Sequence, residues 1–306
     1  MEIVLTPEGP LDVPATLARY RLWGEDPANR LDGDVFRRVL RLGARLVPYA
    51  LRWSGPVDAV RLRVRAPGAR GRRIAEALVR EVRALLGLDF DLEGFYRMAK
   101  ADPVLAPLVG PLYGLRPTLA PTPLEMLVGS IAAQQVSLVL AAALRARLVR
   151  RYGVPTELDG LTVYAFPDAA TLARARMRAL RALGFSTAKA TAVRGVARAL
   201  ATGALDAAAL ARAPADAIVA RLTALRGVGR WTAEWFMARG LGRGDVCPAG
   251  DLGVRKAFAR FCGNGRPLGE DEIRRRASAW GPYQTLAVHY LLAGLRLEAT
   301  RADGGP

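Results

Sequence analysis

The stretch LRGVGRWTAEWFMARGLGRGDVCPAGDLGVRKAF, from Leu225 to Phe258, decides the fold. Gly227 and Gly229 bracket Val228, and a helix-forming run follows at once. Glycine supplies the φ > 0 conformations that a sharp turn needs. A helix starting there leaves the N–H groups of Gly229, Arg230 and Trp231 free, and such an N-terminus attracts an anion, phosphate above all. One helix further on comes Pro248-Ala249-Gly250-Asp251, ahead of a second amphipathic run. Asp251 at that junction reads either as the N-cap of a helix over 252–261 or as a carboxylate placed for chemistry, and spacing alone does not separate the two.

The totals set the frame. A chain of 306 residues predicts two or three domains or subdomains, and 51% hydrophobic residues suffice for a sizeable core. The net charge of +17 suits a nucleic-acid partner. Lys100, Lys189 and Lys256 are the only lysines, so the excess is almost all arginine and fits a compositional bias equally well. Cys247 and Cys262 are the only cysteines, which excludes a four-Cys zinc site or iron–sulfur cluster and predicts reduced thiols. His289, the only histidine, lies in an apolar run and reads as a core residue. A Ser-His-Asp triad or a His-based metal site is not supported. The first residues lack a basic and apolar leader, and no apolar run reaches membrane length. The expectation is a cytoplasmic protein with no membrane partner.

Outward from the hairpin, residues 1–85 read as a small antiparallel sheet with one or two helices. The predicted strands are Glu2–Leu5, Asp34–Leu42, Gly43–Arg52 and Ala59–Val64, with a helix over Ile74–Leu86. Arg61, Arg63 and Arg65 form either a solvated face or a DNA contact. Residues 88–120 connect to the main body through short helices. Pro123–Tyr152 predicts two buried helical faces interrupted by Gln134-Gln135-Val136-Ser137. That quartet is either a tight helix–helix turn with satisfied amides or an element that enters a base stack. Residues 153–222 are predicted to be all-helical, with Ser186 or Thr187 capping one helix and Leu205–Leu225 forming another that leads into the hairpin. Ala277–Leu295 closes the body.

The Leu225–Phe258 stretch resembles the helix-hairpin-helix DNA glycosylases, and is most similar to their alkylated-base branch, the 3-methyladenine DNA glycosylase II type. The QQVS turn and Trp280-Gly281-Pro282-Tyr283 extend the resemblance, which covers roughly residues 85–300. It implies a mostly α fold, with a glycosylase body of two helical subdomains over 88–306 behind a small α+β domain over 1–87. The hairpin falls at 222–235 and the catalytic loop at 245–251.

It further implies a base-excision-repair enzyme that hydrolyses the N-glycosidic bond of flipped alkylated purines such as 3-methyladenine and 7-methylguanine. Asp251 is then the catalytic carboxylate. Trp231, Trp235 and Trp280 supply aromatic walls for a cationic base, although core filling is the bland reading of each. Gly227, Val228, Gly229, Arg230, Gln134, Gln135 and Ser137 contact DNA. The family places an apolar wedge where this chain has Gln135. Relatives that also cut the backbone carry lysine where this chain has Trp231, so a monofunctional enzyme is implied. Main-chain carbonyls of Thr223, Leu225 and Val228 are the implied seat of a monovalent cation. No other cofactor and no iron–sulfur cluster is expected. The partner is double-stranded DNA carrying damaged bases, met by a monomer associated with the nucleoid. The alternatives are a glycosylase for deaminated or oxidised bases and a non-catalytic helix-hairpin-helix DNA-binding protein. A plain binding module needs neither Asp251 nor the tryptophans.

Overall fold

The computed structural model describes residues 1–302. Five strands, Glu2–Leu5 (β1), Asn29–Asp32 (β2), Val35–Leu42 (β3), Arg45–Ser54 (β4) and Arg61–Arg65 (β5), form an antiparallel sheet in the order β1-β5-β4-β3-β2. Alternation sets its faces: Leu62 and Val64 of β5 are buried while Arg61, Arg63 and Arg65 are exposed. The Arg72–Leu85 helix covers the buried face, packing Ile74, Leu78, Val82 and Leu85 against Phe36, Tyr49, Leu51, Leu62 and Val64. β2 gave no sequence signal, because Asn-Arg-Leu-Asp lacks apolar alternation.

The all-helical expectation for 153–222 is wrong at its start. Val154–Leu158 (β6) and Leu161–Ala165 (β7) form a hairpin across Asp159-Gly160, whose φ values are +55° and +73°. Two central residues with positive φ match the right-handed twist of the strands, and Asp-Gly is a preferred pair for it. Leu158, Val163 and Ala165 bury Val35, Val39 and Ala50, which belong to β3 and β4. A segment from the middle of the chain therefore packs on the N-terminal sheet. The single helix expected over Leu205–Leu225 is also corrected. It is two helices, Ala207–Arg212 and Ala215–Thr223, because Pro214 holds Ala213 in an extended conformation.

The rest is helical and divides into two cores. One gathers Leu127, Ile131, Val193, Leu222 and Phe236, and the other Phe95, Val254, Phe258 and Tyr290. Trp235 packs against both. The N-terminal part is joined to this body by two buried arginines. Arg116, 2% exposed, donates to the carbonyls of Glu8, Pro10, Gly87, Leu88 and Phe90. Arg38, on β3, reaches carboxylates on two different helices. Among the described residues no helix is long and apolar enough to cross a membrane.

Candidate active site

The Ala215–Thr223 helix ends in a turn that re-enters a helix at Arg230–Arg239. Leu225 N–H donates to Leu222 O at 3.1 Å and Val228 N–H to Leu225 O at 3.0 Å. Val228, 5% exposed, plugs the turn into the core, leaving Arg226, Gly227, Gly229 and Arg230 exposed. The two glycines are not equivalent. Gly227 has φ +83°, and a Cβ there would lie 2.7 Å from Ala192 Cβ. Gly229 is extended, at φ −102° and ψ 177°, with open space where a Cβ would stand. Gly227→Val is therefore expected to cost about 2–4 kcal/mol, combining left-handed strain with overpacking. Gly229→Ala is expected to stay within about 0.5 kcal/mol, and urea denaturation of both variants checks the contrast.

No side chain caps the Arg230–Arg239 helix, so its first amides face outward from the turn. Trp231 and Trp235 lie at i and i+4, on one face. Asp251 meets that face from the end of the loop. Its Oδ2 accepts from Trp231 Nε1 at 2.8 Å and from Trp235 Nε1 at 3.1 Å. Its Oδ1 accepts from Val254 N–H at 3.0 Å, so Asp251 does cap the Leu252–Phe261 helix. The cap thus uses one carboxylate oxygen and the two indoles use the other.

The loop is held from behind. Thr285, 3% exposed, donates Oγ1 to Arg243 O at 2.6 Å and Val246 O at 3.0 Å. At Gly244 a Cβ would meet Pro282 O at 2.1 Å, so the Trp280–Tyr283 segment backs directly on the loop. Trp280 is not brought to Asp251. It is 5% exposed, packs on Phe258 and donates Nε1 to Asp102 at 2.7 Å, which is a core placement. Trp231 and Trp235 are half-buried.

The QQVS turn abuts the hairpin and divides by residue. Gln134 donates to Gly227 O at 3.0 Å and Thr232 Oγ1 at 3.3 Å, tying the turn to the hairpin. Ser137 caps the Leu138–Tyr152 helix through Leu140 N–H. Gln135 alone is exposed without such a bond, at φ +55°. Leu138, Val139 and Leu140 follow, 50%, 59% and 43% exposed. Lys189 lies beside this turn. Its Nζ donates to Ala132 O at 2.9 Å, bracing the helix that leads into this turn.

Arg230, by contrast, donates to Glu234, which also accepts from Arg274 at 3.2 Å. His289 is half-buried, accepts from Arg239 at 2.8 Å in the tautomer that leaves Nδ1 bare, and is held well below the usual imidazole range by desolvation and the Arg239 charge. Burial pushes the Cys247 thiol up to about 12. Both cysteines are free. Among the described residues no three His, Cys, Asp or Glu side chains gather as a metal site. Sequence reasoning missed Thr285 and Arg239, since an isolated Thr or Arg carries no motif.

Comparison with known proteins adds a family. The description "HhH-GPD superfamily base excision DNA repair protein" matches residues 128–282. The DNA-3-methyladenine glycosylase of Bacillus subtilis is 30% identical over 216 residues, 71% of this chain and 71% of that protein. DNA-3-methyladenine glycosylase 2 of Escherichia coli is 34% identical over 170 residues, 55% of this chain and 56% of its own length. A solved 3-methyladenine DNA glycosylase from Archaeoglobus fulgidus superposes with a TM-score of 0.84 at 27% identity, covering 95% of this chain and 97% of that one.

Proposed function

The chain belongs to the HhH-GPD superfamily of base excision DNA repair proteins, and from that premise we infer that it is a DNA glycosylase of the 3-methyladenine type, hydrolysing the N-glycosidic bond of flipped alkylated purines. The observation that carries the chemistry is the Asp251 carboxylate, fixed by two indoles on the hairpin helix.

The hairpin amides of Gly229, Arg230 and Trp231 hold a backbone phosphate, which positions the duplex without reading its sequence. The lesion base rotates out, and the Trp231 ring stacks against it. The C1′–N bond then breaks, its electron pair leaving with the base. A base that carried a formal positive charge departs neutral. Asp251 faces the positive charge that builds on the sugar and orients water, whose oxygen bonds to C1′ while its proton passes to the carboxylate or to solvent. Gln135 fills the space the base leaves, and the exposed Leu138–Leu140 turn meets the groove beside it.

The reaction stops at an abasic site, because the hairpin position that carries an amine in strand-cutting relatives holds the Trp231 indole. Lys256 lies on the far side of the loop, exposed on the next helix. The protein works as a monomer on nucleoid DNA. The carbonyls of Thr223 and Val228 have no hydrogen-bond donor among the described residues, while Leu225 O accepts Val228 N–H. That leaves lone pairs for a monovalent cation, which would stiffen the turn.

One experiment tests the whole reading. Duplexes carrying single alkylated, deaminated or oxidised bases are incubated with the protein, released bases are identified by mass, and borohydride is added to trap any imine. Release of 3-methyladenine and 7-methylguanine with intact abasic strands and no trapped adduct is expected. Release confined to deaminated or oxidised bases would overturn the substrate class, and a borohydride-trapped adduct would overturn the monofunctional mechanism.

A further inference from the structure

A carboxylate has four lone pairs to offer. On Asp251, one on Oδ1 is taken by Val254 N–H at 3.0 Å. Both on Oδ2 are taken by indole N–H groups, at 2.8 Å and 3.1 Å. The two donors differ in everything else. The Arg239 guanidinium lies 5.9 Å from the centroid of the Trp235 ring. Burial lowers the Arg239 pKa to about 9, which leaves it cationic at neutral pH. A cationic base approaching that ring meets the like charge of the guanidinium, which weakens the cation–π attraction the ring can offer. Trp235 is also wedged between the two helical cores. It is badly placed to wall a base pocket and well placed to fix an orientation.

We propose that Trp235 is a positioning residue for Asp251. Its indole N–H, together with that of Trp231, closes Oδ2 and leaves the remaining lone pair of Oδ1 as the one that faces sugar and water. This rests on the glycosylase reading above. Stabilising a developing charge works best when the responding group is already oriented. A carboxylate free to rotate about its χ2 must be ordered again in each transition state. Anchoring the second donor in both cores makes that orientation a property of how the two subdomains pack.

The test separates the N–H from the ring. Trp235 is replaced by 3-benzothienylalanine, which keeps the shape and puts sulfur in place of N–H, and separately by Phe. Single-turnover release of 3-methyladenine is expected to fall about 10- to 100-fold for both, as misplacement by about an ångström does. Duplex Kd is expected to change by no more than about twofold. A role confined to packing would spare the isostere, so wild-type release by the benzothienyl protein overturns the proposal.

Indole 1H–15N spectra, assigned with the Phe variants at 231 and 235, supply a readout that needs no activity. Both Nε1–H resonances are expected to move in Asp251→Asn, and resonances indifferent to that change would also overturn the proposal. If the resonances move but the wild-type protein releases no alkylated base, it is the glycosylase reading that fails. If wild-type release is normal and only the isostere is unaffected, the positioning role alone fails.

Discussion

Asp251→Asn is expected to reduce base release by about a thousandfold while duplex affinity stays the same or rises. The substitution removes the only charge that Asp251 can set against an oxocarbenium-like sugar, and it removes a negative charge from beside the phosphates. The geometry adds a control. Three N–H donors converge on the two oxygens of Asp251: Trp231 and Trp235 on one, Val254 on the other. An asparagine has one oxygen and one NH2, so in either orientation an NH2 faces a donor. The cost is about 1–2 kcal/mol, the loss of a cap plus an unmet hydrogen bond. Activity must therefore be compared below the melting range of the variant. Near-wild-type release from folded Asp251→Asn protein would sink the assignment.

What was legible in the sequence follows from how local each signal is. The hairpin needs only two glycines and an apolar anchor within a few residues, and the structure forms it there. The strand alternation of Arg61–Arg65 and the i, i+4 pairing of Trp231 with Trp235 are equally local. The β6–β7 hairpin was masked because its partners lie more than a hundred residues away, on β3 and β4. Its Asp159-Gly160 turn was the one local clue.

Tryptophan was read as pocket from the resemblance and its cation–π chemistry, yet Trp280 spends its N–H on Asp102 and its rings on Phe258. A motif reports that a residue matters, and here the Trp280–Tyr283 segment matters as backing for the loop, through Pro282 and the neighbouring Thr285. Gly229 differs from Gly227 for a similar reason. Both occupy the turn, but only Gly227 sits against another helix.

The second large effect concerns the join between sheet and body. Arg38, 3% exposed, donates Nε to Glu81 at 3.0 Å and both terminal nitrogens to Glu125. Asn29 accepts from it at 2.5 Å, and Arg145 approaches Glu125 at 2.9 Å. One guanidinium thus satisfies a carboxylate on the Arg72–Leu85 helix and another on the Pro123–Ala133 helix. Arg38→Met fills a similar volume but leaves Glu81 without its counter-charge in a buried place. The expected loss is about 3–5 kcal/mol at pH 7, read by urea denaturation.

The loss should depend on pH. Burial raises the Glu81 carboxyl above its usual 4.5, while the Arg38 charge pulls it down. Removing Arg38 leaves burial and the Glu125 charge opposed only by the Tyr49 hydrogen bond, so the folded variant holds the Glu81 proton more tightly than the unfolded chain does. A carboxyl raised in this way costs nothing below the unfolded pKa and destabilises increasingly as pH rises through the folded one. The gap between Arg38→Met and wild type is therefore expected to be widest at neutral pH and to narrow as pH falls toward 4.5. A gap that stays constant with pH would mean that Arg38 acts through packing rather than through charge.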